Sequence, residues 1–289
     1  MFKIDRPTFG PGGNSESFYD EGMKSTVQAP GWLSKKGLDA YEYQAGNGLT
    51  AGIATLQKIG EKAREHGILM SLHTPYFISL SGVEEEKRLN SISYITRSLA
   101  AAEALNADTI VIHTGSAAKI SRQEAMALAA DTLEKNLEVN GTTHIRMGLE
   151  TMGKINQLGT LDEVLTLCKI SPLYHPVVDF GHLNARHLGN YFPDCDSYRR
   201  VFDRIANALG DAYAYNLHCH FSKIEYTNAG EKKHLTFEDE VFGPRFEPLA
   251  EAIVREGVCP RIICESAGTM AEDALFMKGA WQNAKEVMG

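Results

Sequence analysis

From residue 38 onward, short runs rich in β-branched and other apolar residues alternate with longer segments whose apolar positions recur every three or four residues. That alternation is what a parallel sheet with crossover helices requires. Residues 1–9 and 38–44 read as the first and second strands, and the Gly- and Ser-rich stretch 10–36 between them as irregular. Residues 49–66 then predict a helix, with Ala51, Ile53, Ala54, Leu56 and Ile59 on its apolar side, Lys58, Glu61, Lys62 and Glu65 on its charged side, and Gly67 as its stop. Strands over 68–73, 109–113, 145–150, 176–179, 213–218 and 261–265 follow, the 213–218 run ending near His218–His220. They alternate with helices over 84–105, 121–136, 161–169, 196–209, 245–256 and 270–287. Ser121 with Glu124 has capping-box spacing, and Asp196-Ser197 is suitable cap chemistry. Residues 222–240 read as a long polar loop.

Eight βα units fit the 289 residues without a linker, and one domain over 1–289 is expected. The fold class is α/β, a (β/α)8 TIM barrel. In that fold the carboxyl ends of all strands ring one face, so residues distant in sequence share a pocket. Here the chain supplies chemistry at that face. Six apolar runs stop on a ligand-type residue: His73, His113, Glu150, Asp179, His218 and Glu265, spaced 29 to 47 residues apart. A 250-residue barrel divided by eight gives about 31 residues per unit. A doubly wound sheet does not gather six consecutive strand ends into one crevice.

A lone histidine at a strand end is more often hydrogen-bonded than a ligand, but six successive His, Asp or Glu endings stand where barrel interiors favour Val, Ile and Leu. With His182 three residues after Asp179, and with His234, the set has five histidines and three carboxylates. Imidazole and carboxylate without thiolate suit Zn²⁺, Mn²⁺ or Fe²⁺. The count exceeds what one tetrahedral ion uses, so two or three ions sharing a bridging carboxylate are expected, an arrangement suited to phosphoryl displacement. His220 reads as a weaker member on the same strand face as His218, and Cys219 between them as packing. His66, His144, His175 and His187 lie at helix ends, strand starts or loops and are left outside the site.

Composition narrows the classes. Hydrophobic content of 43% and charged content of 23% are those of a globule. The five cysteines never form a CxxC pair, which removes a disulfide framework and a thiolate zinc knuckle. A net charge of −8 argues against broad wrapping of polyanions without excluding a local basic patch. Residues 1–11 hold no signal-peptide core, no run approaches the roughly 18 apolar residues of a spanning helix, and nothing implies a membrane or a protein partner. A cytoplasmic location is expected.

The motifs resemble one family, endonuclease IV, the metal-dependent abasic-site deoxyribonucleases built on a xylose isomerase-like barrel. The resemblance runs from about residue 68 to 278. It rests on Leu72-His73-Thr74-Pro75-Tyr76-Phe77, His113-Thr114-Gly115, Gly148-Leu149-Glu150-Thr151-Met152-Gly153, Val178-Asp179-Phe180-Gly181-His182, His218-Cys219-His220-Phe221-Ser222-Lys223, Lys232-Lys233-His234 and Ile263-Cys264-Glu265-Ser266. It implies that His73, His113 and Glu150 hold one zinc, that Glu150 bridges to a second held by Asp179, His218 and Glu265, and that His182 and His234 contribute to a third. It further implies DNA with abasic sites as the partner, cut 5′ to the lesion, and Tyr76 as a residue near that site; Glu150, Asp179 and Glu265 are the expected catalytic set, and Tyr76, with Lys223 and Arg186 from the predicted rim loops, the expected substrate-binding residues. Two Zn²⁺ ions are expected, with Mn²⁺ as the alternative metal.

Two departures stand out. Where the family has Asp-x-His, this chain has Lys232-Lys233-His234, and a protonated lysine cannot serve as the anionic ligand. Glu231, one residue earlier, is the candidate substitute, without which the third site is weak or empty. The family's opening Gly-Ala-His-Val-Ser pattern is replaced by Phe9-Gly10-Pro11-Gly12-Gly13, and its DNA-intruding basic loop is not evident in 45–49. The alternative is therefore a divalent-metal sugar isomerase or epimerase of the same superfamily. A nuclease needs phosphate contacts outside the metals, for which Lys119, Lys154, Arg186, Lys223, Lys232 and Lys233 are available. An isomerase needs a small pocket with aromatic cover, for which Tyr76, Phe77, Phe180, Phe221 and Tyr226 are available.

Overall fold

Eight strands pair in parallel in the order β1-β10-β7-β6-β5-β4-β3-β2 in the computed structural model, which describes residues 5–289. In chain order the elements are β1 (Thr8–Pro11), α1 (Glu16–Asp20), a 3-10 turn (Thr26–Gln28), α2 (Ala29–Lys36), β2 (Ala40–Gln44), α3 (Ile53–His66), β3 (Leu69–His73), α4 (Glu85–Leu105), β4 (Ala107–His113), α5 (Arg122–Asn140) and β5 (Arg146–Glu150). After them come α6 (Leu161–Cys168), β6 (Tyr174–Asp179), α7 (Phe180–Arg186), α8 (Cys195–Leu209), α9 (Asp211–Tyr215), β7 (His218–Phe221), a hairpin β8 (Lys223–Thr227) and β9 (Gly230–Leu235), α10 (Glu247–Glu256), β10 (Arg261–Cys264) and α11 (Met270–Met288). The part of the first expected strand before residue 5 lies outside the described residues. No helix among the described residues is long and apolar enough to cross a membrane.

The sheet closes on itself between β1 and β2, where Asp39 N–H donates to Phe9 O at 2.9 Å, Gly13 N–H donates to Glu42 O at 3.0 Å, and Gly12 bridges to Glu42 in parallel. A Cβ on Gly10 would lie 1.7 Å from the Ala40 carbonyl oxygen. Only glycine lets the two backbones approach so closely. Gly10→Ala is accordingly expected to cost about 3 kcal/mol or more and to lower Tm by roughly 10 °C; a calorimetric Tm within 2 °C or so of the parent would mean that the seam is plastic.

Side chains alternate across each strand. Leu72, Ile110, Ile112, Met147, Leu149, Val178, Cys219, Phe221, Ile262 and Cys264 belong to the buried cluster that packs with the helices. The other parity faces the barrel axis, and there the amino-terminal end is plugged by Arg261, which donates to both Asp108 oxygens at 2.8 and 2.9 Å while Arg146 donates to the same carboxylate at 2.7 Å. The carboxyl-terminal end carries the ionisable residues instead.

Several expectations change in detail. The 213–218 run is not a strand: α9 occupies Asp211–Tyr215 and β7 begins only at His218. The polar 222–240 segment is largely the antiparallel β8–β9 hairpin. Helix α7 starts directly on Asp179, whose Oδ1 accepts the His182 N–H at 2.7 Å as an N-cap, so the same aspartate ends a strand and opens a helix. Ser121 caps α5 through Glu124 N–H, and α8 is capped by Asp194 with Ser197 in a reciprocal box, two residues before the expected cap.

Candidate metal centre

Glu150, fully buried at the end of β5, is the hub of the barrel mouth. Its Oε2 lies 3.4 Å from His73 Nε2 at the end of β3 and 3.2 Å from His113 Nε2 at the end of β4. Its Oε1 lies 3.0 Å from His220 Nδ1 on β7 and 3.4 Å from His182 Nδ1 on α7. Four groups of potential ligand atoms, each within 4.8 Å of one another, lie around it: His73 with His113 and Glu150; Glu150 with Asp179, His220 and Glu265; His182 with Glu231 and His234; and Glu42 with His218 and His220. Glu150 belongs to the first two.

The rings are aimed by their outer nitrogens. His73 Nδ1 meets the Thr74 carbonyl at 3.0 Å and His182 Nδ1 meets the Thr151 carbonyl at 3.0 Å. A carbonyl only accepts, so both Nδ1 atoms carry the proton and each Nε2 is left with a lone pair for a cation. His234 Nδ1 is paired with Ser222 Oγ at 2.8 Å.

Charge balance points to a cation as well. Glu150 Oε2 and Asp179 Oδ2 are buried and accept no hydrogen bond. Stranding anionic oxygens in this way is costly unless something positive meets them. Burial alone would raise the Glu150 carboxyl, but the charge of His220 and the close approach of the His113, His182 and His220 imidazoles hold it well below the usual carboxylate range. Asp179 goes the other way, raised by burial and by the charges of Glu265 and Glu150 despite the opposing pull of His182. Burial lowers His220 and His182, yet the surrounding carboxylates outweigh it and push both well up. Without an ion, protons hold these charges together, and a divalent cation would replace them. The donor set of imidazole and carboxylate oxygen fits a first-row transition ion.

The expected ligand His218 falls in the fourth group, with Glu42 and His220, and not beside Asp179 and Glu265. In the β6–β7 ladder His218 is level with Val177 and His220 with Asp179, so His218 lies one layer deeper in the barrel, and its Nε2 pairs with Glu42 Oε2 at 2.9 Å. His220, expected to be the lesser of the two, supplies the imidazole beside Asp179 and Glu265. Glu42 itself, fully buried on β2, was not among the sequence candidates. The available signal was the parity of Ala40, Glu42 and Gln44 along the strand, which puts an acid where a barrel interior normally carries an apolar residue.

The basic residues expected around the mouth are mostly engaged. Lys232 pairs with Glu225 at 2.6 Å, and Lys233 with the same carboxylate at 3.3 Å, while Glu231 turns inward to 3.5 Å from His182 Nε2. Arg186 is buried and donates to the carbonyls of Met152, Lys154, Ile155 and Gln157, tying down the loop after β5. Lys223 donates to the carbonyls of Phe237 and Asp239. Lys119 and Lys154 remain exposed. Of the expected aromatic cover, Phe180 and Phe221 are core residues, and Tyr226 packs on Phe242. Tyr76 is exposed and stacks on His113 with centroids 5.3 Å apart, beside exposed Phe77.

Beside the clusters opens a cavity of about 470 Å³, lined among others by Gln44, Tyr76, His234, Glu265 and Ser266. Residues 31–280 match the model of a family described as xylose isomerase-like TIM barrel. The chain belongs to this family. Within the xylose isomerase-like barrels, a relative from Methanocaldococcus jannaschii that carries no assigned function is 30% identical over 93% of this chain and 95% of its own length. A probable endonuclease 4 of Acholeplasma laidlawii is 26% identical over 59% of each chain. Among solved structures, a D-tagatose 3-epimerase-like protein superposes with a TM-score of 0.71 at 18% identity, covering 97% of both chains. Endonuclease IV from Thermus thermophilus superposes with a TM-score of 0.69 at 16% identity, covering 97% of this chain and all of the other. This is an enzyme superfamily, and at such identities the structural likeness establishes the shared barrel and leaves the substrate to the site.

Proposed function

We propose that this barrel is a zinc- or manganese-dependent phosphodiesterase of the endonuclease IV kind, cutting DNA 5′ to abasic sites. The observation that carries the reading is the third group, His182 with Glu231 and His234, set beside two groups that already share Glu150. Moving a proton on a sugar needs one or two cations, whereas in-line displacement at a phosphodiester uses charge on both the attacking and the leaving oxygen. When bound, the ions supply Lewis-acid charge for the phosphoryl oxygens and lower the pKa of water at neutral pH.

The chain's own residues do the rest. His73, His113 and Glu150 form one holder, Glu150, Asp179, His220 and Glu265 the second, and His182, Glu231 and His234 the third. Glu265 is the cluster carboxylate that also lines the cavity, which suits it to accept a proton from the attacking water. Tyr76, stacked on His113 and lining the same cavity, is placed to pack against the sugar that flanks the scissile bond. Arg186 and Lys223 act at one remove by fixing the β5 loop and the segment after the hairpin, and Lys119 and Lys154 are left as the exposed cations for phosphate.

The test is a duplex oligonucleotide carrying one stable abasic analogue. Incision 5′ to the analogue with Zn²⁺ or Mn²⁺, lost in Asp179→Asn, is expected. Intact substrate with either ion supplied would reject the nuclease reading. A sugar epimerase or isomerase is the second reading, favoured by one observation: among the described residues no lysine or arginine lines the 470 Å³ cavity, a size suited to a small polyol. Interconversion of ketohexoses by the same preparation would establish it.

A further inference from the structure

The barrel places one buried carboxylate outside the three groups assigned above as holders, in the fourth group with His218 and His220, and of these His220 belongs also to the second. Glu42 is fully buried on β2. Its Oε2 accepts from Ser71 Oγ at 2.8 Å and is paired with His218 Nε2 at 2.9 Å, and its Oε1 accepts from Gln44 Nε2 at 3.4 Å. Oε1 also lies 3.0 Å from His220 Nε2, off the line of a hydrogen bond. The same His220 ring turns Nδ1 to 3.0 Å from Glu150 and 3.5 Å from Glu265.

We infer that Glu42 is the positioning carboxylate of the second group: its charge, 3.0 Å from His220 Nε2, favours the proton on that nitrogen and leaves Nδ1 for the cation. This rests on the reading that the clusters hold metal. The physical case has three parts. A neutral imidazole has one protonated and one free nitrogen, and the partner of the outer nitrogen decides which faces the metal. His220 has carboxylates on both sides, so without a fixed outer anion its proton could as well stay on Nδ1 and block the ligand. Glu42 is fixed because Ser71, Gln44 and His218 hold it from three strands, and His218, one layer below, donates to it while staying out of the second group.

A purely architectural role for Glu42 makes a different forecast, since burying an ion pair only to join β2 to β7 gives little net stability over an apolar pair. Such a role would move the unfolding temperature and leave ion affinity alone.

The experiment is Co²⁺ titration of the whole chain by visible absorption, with chelator competition and ion counting, on the parent, Glu42→Gln, Glu42→Asp and His220→Ala. Expected is a 10- to 100-fold weakening of one ion in Glu42→Gln, the scale of lost outer-sphere carboxylates, with an altered d–d spectrum and the other ions unchanged. His220→Ala should lose that same ion, Glu42→Asp should recover part of the affinity, and Glu42→Gln combined with His220→Ala should be no worse than His220→Ala alone; His218→Ala, titrated alongside, should keep the ion, and its loss there would make Glu42, His218 and His220 ligands themselves and overturn the inference. Affinities within twofold of the parent in Glu42→Gln, while His220→Ala loses an ion, would overturn the inference and leave the metal reading standing. If Glu42→Gln does not fold, Glu42→Asp decides: parent affinity and spectrum overturn the inference, and a weakened single ion supports it. A parent that takes up no Co²⁺ overturns both.

Discussion

Glu150→Gln is expected to lose two ions at once and at least about a thousandfold in activity, the scale seen when a principal electrostatic stabiliser is removed. One residue carries this weight because both oxygens are in use: Oε2 lies within 3.4 Å of His73 and His113, and Oε1 within 3.4 Å of His182 and His220. An amide keeps the volume but offers one weak ligand oxygen in place of a bridging anion. The metal-free protein should suffer too, since four imidazoles would then converge on a group without charge. Breaking a buried charge pairing by removing one partner costs about 3–5 kcal/mol, so Tm in chelator should fall by roughly 10 °C. Elemental analysis of Glu150→Gln at parent stoichiometry would remove Glu150 from the hub.

The second large effect separates two adjacent residues. Glu231→Gln is expected to empty the His182–Glu231–His234 group and lower activity about a hundredfold, whereas Lys232→Ala should leave both ion content and activity within about twofold of the parent. Glu231 faces His182 at 3.5 Å, and Lys232 points the other way into a solvent-exposed pair with Glu225, a class of contact worth under about 1 kcal/mol. The hairpin explains why a lysine can stand where the endonuclease IV motif has its aspartate. A register shift between Glu225 and Tyr226 interrupts the β8–β9 ladder beside Glu231, and Gly230 and Glu231 both dock on the Gly153–Lys154 backbone, with Glu231 N–H donating to Gly153 O at 3.1 Å. Loss of an ion in Lys232→Ala, with none lost in Glu231→Gln, would reverse this assignment.

Both variants concern residues whose type could be read from the chain but whose partners could not. The barrel itself was legible because strand and helix periods are local: short apolar runs ending on His73, His113, Glu150, Asp179 and Glu265 at regular spacing imply one rim whatever the details of packing. That Lys232 cannot be the anionic ligand, and that Glu231 beside it can, is likewise local, since it follows from which side chains carry a negative charge.

Depth and direction were not legible. His218 and His220 share a strand face, and nothing in His-Cys-His says which is level with Asp179; the β6–β7 ladder decides it, because register is a pairing of distant residues. Glu42 joined the site only when β2 closed against β1 across Gly10, bringing residue 42 to within 3.0 Å of residues 218 and 220. Arg186 and Lys223 looked like phosphate contacts because a sequence records charge, while their engagement with backbone carbonyls depends on how two loops fold back. Ligand types and their strand-end positions thus come from local period and chemistry, and the choice among neighbouring ligands comes from ladder register and barrel closure, which act across the whole length of the chain.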